Sequence, residues 1–339
     1  MARKPNQDSR DIAALLDAFD MPLLLIDGLT VERANPPAQS LFGAYIIGED
    51  VRLAIRHPDA ATLLSGTEDG GASLGGLGDP ERRWEMEVRA LSPGRRLVRL
   101  IDHSQAAAAE RMRTDFVANA SHELRTPLAT LIGFIETLEE ANGPHEAEIR
   151  KRFLGIMGGE ARRMQRLIDD LMSLSRVEVD RFVRPREAID LVGAIRAACA
   201  EIEPGGGGAR IRLTLPDAPL ITRADPAQIS QLVHNIVGNA LKYGRDGSAV
   251  HATLHAEQGS ALLTIEDQGE GIGRDHLPRL TERFYRVDPG RSRAVGGTGL
   301  GLAIVKHIVE RHRGRLDIAS TPGVGTCVTV ALPLEDEIL

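Results

Sequence analysis

The chain predicts a multidomain α+β protein, and three observations predict it. Between 11 and 103, short apolar runs alternate with Gly, Pro and Asp turns, the pattern of a small α/β module. Between 104 and 180, two long runs carry apolar residues at steps of three and four on either side of Asn142-Gly143-Pro144, which predicts an antiparallel helical hairpin. From 181 to 339, with a hinge at Arg184-Pro185 near its start, strand-like and helix-like runs mix again, which predicts an α/β sandwich with glycine-rich loops. Residues 1–10 read as a flexible N-terminus.

Composition narrows the function classes. The 339 residues hold 41 Lys and Arg against 48 Asp and Glu, and aromatic residues make up 3%. A formal net charge of -7 without a basic stripe argues against direct nucleic-acid binding. Cys199 and Cys327 are far apart and predict neither a disulfide framework nor a metal cluster. The longest apolar run near the start, Met21 to Ile26, contains Pro22 and stops at Asp27, so it reads as a buried strand rather than a membrane span. Met1 to Arg10 has no apolar segment behind it. The expectation is a cytoplasmic chain with no membrane segment.

In the first module, Ile12 to Phe19 predicts an amphipathic helix, and Pro22 to Asp27 and Val31 to Asn35 two short strands around Asp27-Gly28. Pro36-Pro37 opens a short helix that Gly43 closes, Gly66 to Pro80 predicts a surface loop, and Arg83 to Val88 and Arg96 to Asp102 predict further strands. This order is similar to a PAS domain, which implies a sensor. It has no cysteine for a flavin adduct, and His57, before Pro58, reads as a helix-end residue sooner than a haem ligand, so packing or partner docking is favoured over a cofactor. Ser104 to Phe116, without Gly or Pro, predicts a stiff continuation into the hairpin.

The hairpin's first helix predicts a seam of Val117, Ala120, Leu124, Leu128, Leu131, Ile135 and Leu138, ending near Glu140. Its second predicts Ile149, Phe153, Ile156 or Met157, Ala161, Met164, Ile168, Leu171 and Leu174 at the same spacing. Two helices cannot close such seams on both sides, so a second copy is expected and a dimeric four-helix bundle with it. His122 lies off the seam, roughly opposite Leu124, with Glu123 beside it, Thr126 one turn on and Pro127 bending the helix just beyond. The run Ser121-His122-Glu123-Leu124-Arg125-Thr126-Pro127-Leu128 resembles the phosphoacceptor box of sensor histidine kinases, which places the phosphorylated position at His122.

The last domain predicts a helix from Leu191 to Ile202, a flexible turn at Gly205 to Gly208 and strands at Arg210 to Leu215, Ala249 to Ala256, Ala261 to Glu266 and Thr326 to Leu332. Helices Pro226 to Tyr243 and Gly301 to Arg313 should cover one sheet face. Three clusters suggest nucleotide chemistry. Asn235 and Asn239 share a helical face with Lys242 a turn on, a set suited to Mg2+ and polyphosphate. Asp267 ends an apolar strand before Gly269 and Gly271, and Gly297-Thr298-Gly299-Leu300-Gly301 opens a helix, where backbone amides and the dipole favour phosphate. It is neither a Walker loop nor a dinucleotide fingerprint.

Together these clusters resemble the GHKL-type ATP-binding fold of histidine kinases, gyrase and Hsp90. The resemblance implies ATP and Mg2+, with Asn239 as metal ligand, Asn235 supporting it, Lys242 on phosphate, Tyr243 flanking the nucleotide and Asp267 accepting the adenine amino group, with Gly269 and Gly271 giving room. Arg286 would reach the γ-phosphate, Gly297, Thr298, Gly299, Leu300 and Gly301 would surround the phosphates, and Val287 to Gly296 would be a mobile lid. Cys327 and Val328 stand where hydroxyl and aromatic residues are more usual. The family implies autophosphorylation of His122, with Glu123 orienting it and taking its proton, and transfer to a separate response regulator. Thr126 implies regulator dephosphorylation as well, or is a surface threonine. The runs Ile55 to Pro58 and Arg283 to Gly299 resemble phosphate-regulon sensor kinases, which implies phosphate-starvation signalling. A GHKL ATPase without phosphohistidine chemistry and an interaction scaffold are the competing classes.

Overall fold

A computed structural model describes residues 7–66, 68–80, 82–140, 147–180, 183–202, 210–288, 290 and 297–335. Asn142 to Pro144, Gly205 to Gly208 and most of Val287 to Gly296 lie outside the described residues. The chain forms two compact units, residues 1–118 and 119–339.

In the first unit, α1 (Gln7–Asp17) precedes β1 (Leu23–Asp27), β2 (Thr30–Ala34), α2 (Pro36–Phe42), α3 (Val51–Ala54) and α4 (Pro58–Ser65). Next come β3 (Gly70–Gly75), β4 (Arg83–Ser92), β5 (Arg95–Asp102) and then α5 (Ser104–Glu140). The sheet is antiparallel, in the order β2-β1-β5-β4-β3. Leu24 and Ile26 point into the main core with Met86, Val98 and Leu100, while Leu23 and Leu25 meet Leu16 of α1 on the other face. Covered on both faces, β1 needs no alternation, which is why it reads as a continuous apolar run.

Asn35 ties this unit together from complete burial. Its Oδ1 accepts the amides of Leu23 (2.9 Å) and Ala38 (3.1 Å), and its Nδ2 donates to the carbonyls of Leu16, Phe19 and Met21. One amide side chain thereby caps α2 and joins the end of α1 to β1. His57 caps α4, its Nδ1 accepting the Asp59 amide at 3.3 Å. The stretch expected to be a loop, Gly66 to Pro80, instead contains β3, an edge strand paired with β4 from Gly70↔Val88 to Gly75↔Arg83. Backbone pairing and one core side chain, Leu74, make that strand, so its glycine-rich composition conceals it.

In the second unit, α5 continues and is followed by α6 (Ala147–Val179), β6 (Ala188–Asp190), α7 (Leu191–Ile202), β7 (Ile211–Thr214), β8 (Ile221–Arg223) and α8 (Pro226–Tyr243). The chain ends in β9 (Val250–Glu257), β10 (Ser260–Glu266), α9 (Gly301–Arg311), β11 (Arg315–Thr321) and β12 (Gly325–Pro333). The main sheet runs β11-β12-β10-β9-β7, antiparallel except for β7 beside β9, and β6 pairs with β8. Helices α8 and α9 pack against the sheet and each other, and α7 packs on α8. Asp225 caps α8 with bonds to the Ala227 and Gln228 amides, and Pro226 sits at its first position.

The hairpin seam divides. Leu124, Leu131 and Leu138 are half-buried, and Phe134 of α5 meets Phe153 of α6 with ring centroids 4.9 Å apart. Leu128, Ile132 and Ile135 on α5 and Ile149, Ile168 and Met172 on α6 are exposed. The lower half of α6 turns elsewhere: Leu167, Leu174 and Val177 are buried, and the helix packs on α9.

Candidate active site

The cleft forms where α8, the ends of β10 and β12, and the loop before α9 meet, and α6 closes one side. It has a volume of about 440 Å3, and Asn235, Asn239, Lys242, Tyr243, Asp267, Gly271, Arg286, Gly297, Thr298, Gly299 and Gly301 all line it. Gly269 and Leu300 stand behind that lining, Leu300 wholly buried.

At one end, the Asp267 carboxylate is held from behind. Its Oδ1 accepts the amides of Gly269 (2.7 Å) and Thr326 (3.3 Å), leaving Oδ2 to face the cleft's contents. Burial pushes its carboxyl above the usual carboxylate range, against the pull of those two amides. The space the neighbouring glycines leave is taken up by the chain. A Cβ on Gly269 would run into the Tyr243 carbonyl, and one on Gly271, at φ +69°, into the Thr321 carbonyl. These two glycines therefore let the β11–β12 turn and the end of α8 close around Asp267 rather than leave open room.

At the other end, Gly299 takes φ +75° and its carbonyl accepts the Phe284 amide at 2.8 Å. A Cβ there would press on the Phe284 backbone, which itself sits at φ +64°, unusual for an aromatic residue. Tyr285 is pinned by a 2.6 Å bond to His276 Nδ1 and by the Arg279 guanidinium 4.3 Å from its ring centre. Arg286 follows, aimed by this turn. Two buried polar atoms here, Asn235 Nδ2 and Arg286 Nε, have no hydrogen-bond partner among the described residues. Such atoms mark a place that a polar ligand completes.

His122 is exposed on α5, and the Thr126 hydroxyl donates to its backbone carbonyl at 3.2 Å. Neither residue lines the cleft, nor does Glu123, yet Glu123 reaches it through one partner. Arg286 Nη2 donates to Glu123 Oε2 at 2.9 Å and to the Thr298 carbonyl at 2.8 Å, while Arg163 of α6 donates to the same Oε2 at 3.2 Å. The turn of α5 that carries His122 thus lies against the glycine-rich end of the cleft.

Sequence reasoning missed the contribution of α6. Arg166, Asp169 and Asp170 line the cleft, and Asp170 Oδ2 accepts the Thr298 hydroxyl at 2.7 Å. Burial pushes the Asp170 carboxyl up, and burial followed by the charge of Arg166 pushes the Lys242 ammonium down. Further along, Arg283 pairs with Glu178, and Ser173 donates to Gln231 at 2.6 Å. The only signal in the sequence is a polar stripe at three- and four-residue steps, Arg163, Arg166 and Asp170, which also fits a solvated helix face.

Comparison with known proteins finds three family models along the chain. Residues 224–336 match the family model "Histidine kinase-, DNA gyrase B-, and HSP90-like ATPase", residues 112–179 the "His Kinase A (phospho-acceptor) domain", and residues 10–72 a PAS domain. The chain is 36% identical over 326 residues to the phosphate regulon sensor protein PhoR of Pseudomonas aeruginosa, covering 94% of this chain and 72% of that protein. It is 37% identical over 238 residues to the sensor protein kinase WalK of Staphylococcus aureus, covering 70% of this chain and 57% of that sequence. Among solved structures, the histidine kinase ThkA in complex with the response regulator protein TrrA shares the fold at a TM-score of 0.51 and 16% identity, over 96% of this chain and 99% of that one.

Proposed function

Since this chain belongs to the sensor histidine kinases of two-component systems, we propose that it phosphorylates its own His122 from ATP and passes the phosphoryl group to an aspartate of a separate response regulator. The observation that carries this reading is the bonded path from Glu123 through Arg286 to Thr298, which joins the histidine's turn to the cleft of the ATP-binding domain. A PAS domain, a phosphoacceptor hairpin and an ATPase domain make up the chain, and we divide it at 11–103, 104–180 and 181–339.

In this reading a ring nitrogen of His122 forms a bond to the γ-phosphorus as the bond to the β,γ-bridging oxygen breaks, and ADP leaves. The imidazole proton passes to Glu123, acid-base help commonly worth roughly 10²- to 10⁴-fold. Asp267 Oδ2 accepts the adenine amino group, Tyr243 flanks the nucleotide, and Lys242 with Arg286 stabilises the charge on the transferring group. Arg286 serves in turn: it holds Glu123 in the structure described here, and the γ-phosphate competes for it. Gly297, Thr298 and Gly299 lead the phosphates to the first turn of α9.

Among the described residues no group of three His, Cys, Asp or Glu could hold a metal. The donor set of Asn239 with Asn235 beside it fits Mg2+, which retains water and phosphate oxygens and asks for few protein ligands. When bound it supplies charge neutralisation at the phosphates.

Thr126 orients a water for dephosphorylating the regulator once its hydroxyl turns from the His122 carbonyl. The exposed Leu128, Ile135 and Ile168 are covered by a second copy, completing a four-helix bundle. Likeness to PhoR supports phosphate-starvation signalling as the setting, with the described residues holding no helix long and apolar enough to cross a membrane.

The test is incubation with γ-labelled ATP and Mg2+, wild type beside His122→Gln. Acid-labile, alkali-stable label present only in the wild type is the expected result. Absence of label with ATP turnover equal in both proteins would instead make the chain an ATPase without phosphohistidine chemistry.

A further inference from the structure

The cations around the cleft are not equally occupied. Arg286 is bonded to Glu123 and Thr298, Arg163 pairs with Glu123 and Glu160, and Arg283 pairs with Glu178. Arg166 of α6 lines the cleft beside Asn239 and Lys242, yet among the described residues it makes no hydrogen bond or ion pair. Asp169 and Asp170 line the same side, and the charge of Asp170 acts on both Arg166 and Lys242, but its carboxylate already accepts the Thr298 hydroxyl. Two cations, Arg166 and Lys242, therefore converge on one end of a half-enclosed cleft and repel each other there. Like charges brought together at partial burial are costly, and a carboxylate already bonded to Thr298 offsets that cost only in part, so the site has room for a further anion. The first turn of α9 and the loop of Gly297 to Gly299 open on the same space, so the anion that fits is a polyphosphate.

We propose that Arg166, carried by the phosphoacceptor hairpin rather than by the ATP-binding domain, is a phosphate-binding residue for the terminal phosphates of ATP. This deepens the reading of the cleft as an ATP site and rests on it. A guanidinium suits the role, since its planar donors meet phosphate oxygens in pairs. The nucleotide is then gripped from both sides, by Lys242 of α8 and by Arg166 of α6. ATP binding and the docking of the ATP domain on α6 consequently favour each other.

The experiment measures dissociation constants of the full chain, with Mg2+ present, for ATP and for adenosine, by calorimetry. Arg166→Gln should weaken ATP about tenfold or more, as loss of a charge-assisted hydrogen bond does, and leave adenosine unchanged. Arg166→Lys should restore part of the loss, and Arg162→Gln, the same charge change on the same helix outside the cleft, should bind ATP as the wild type does. Equal losses for ATP and adenosine in Arg166→Gln would make the residue a structural one and overturn the proposal. Unchanged ATP affinity would overturn it too. A wild-type chain that binds neither ligand would overturn the ATP reading itself.

Discussion

His122 and Asp267 belong to one compact unit and are held in opposite ways. His122 lies exposed on a helix face, with a side-chain bond to its backbone carbonyl and, among the described residues, none to its ring. Asp267 is half-buried, clasped by two backbone amides, and enclosed by a turn that only glycine at 271 permits. Under the proposed function the contrast follows from what each would have to do. A phosphoacceptor has to meet ATP, a regulator's aspartate and water in succession, so an enclosing pocket would obstruct it. A base-recognition group meets one ligand, and there fixed donors and acceptors cost least reorganisation on binding.

The largest expected effect separates these two roles. Glu123→Gln removes the proposed proton acceptor beside His122, and the labelling rate at saturating ATP should fall by roughly 10²- to 10⁴-fold. ATP affinity should not fall, because the substitution weakens a competitor for Arg286. A rapid-quench time course with a parallel binding titration checks both. A fall in affinity matching the fall in rate would place Glu123 with the cleft instead of the histidine.

Asp267→Ala should show the reverse pattern. Losing the half-buried acceptor proposed for the adenine amino group should weaken ATP and adenosine alike by about 10- to 100-fold, while the labelling rate at saturating ATP stays near that of the wild type. Should ATP bind the variant as tightly as before, the cleft would have to be read with the base elsewhere.

A smaller effect tests the enclosure around Asp267. Gly271→Ala adds a Cβ against the Thr321 carbonyl at a left-handed φ of +69°, and should destabilise the ATP-binding domain by about 2 kcal/mol. The readout is the thermal midpoint. A midpoint that does not move would mean the turn relaxes readily and does not brace the carboxylate.

How much of this could be read from the sequence follows the same divide. Helices α7 and α8 are legible to the residue because apolar periodicity fills both and Pro226 opens the second. The lining of the cleft was legible because Asn235, Asn239, Asp267 and the glycines combine in a rare pattern. What stayed hidden depends on long-range contact. β3 has backbone pairing and little apolar content, β6 and β8 are three-residue strands, and β11 alternates with only Leu316 and Ile318 as apolar signal. Arg163, Arg166 and Asp170 look like a solvated face until the ATP domain is seen against it. No local pattern distinguishes a charge that meets water from one that meets another domain.

The smallest effect concerns what keeps α8, and with it Asn235, Asn239 and Lys242, in place. His312, buried behind the helix, accepts the Asp225 amide at Nε2 (3.1 Å) and gives its Nδ1 proton to the Ile308 carbonyl (2.7 Å), so it must be neutral to cap this junction. Burial holds its proton affinity below the ordinary 6.5, helped by Arg311 and Arg184 and opposed by the Ile308 carbonyl and Asp225. The unfolded chain takes up a proton as pH falls through that ordinary value while the folded site still refuses it. Stability is therefore full above about 6.5 and declines below it, with a slope no steeper than about 1.4 kcal/mol per pH unit for one proton. Denaturant titrations from pH 7.5 to 5.5 should show that decline in the wild type and a flatter profile in His312→Gln. An equal slope in the variant would assign the acid sensitivity to another group, and the rigid half of the comparison would lose its pH-dependent brace.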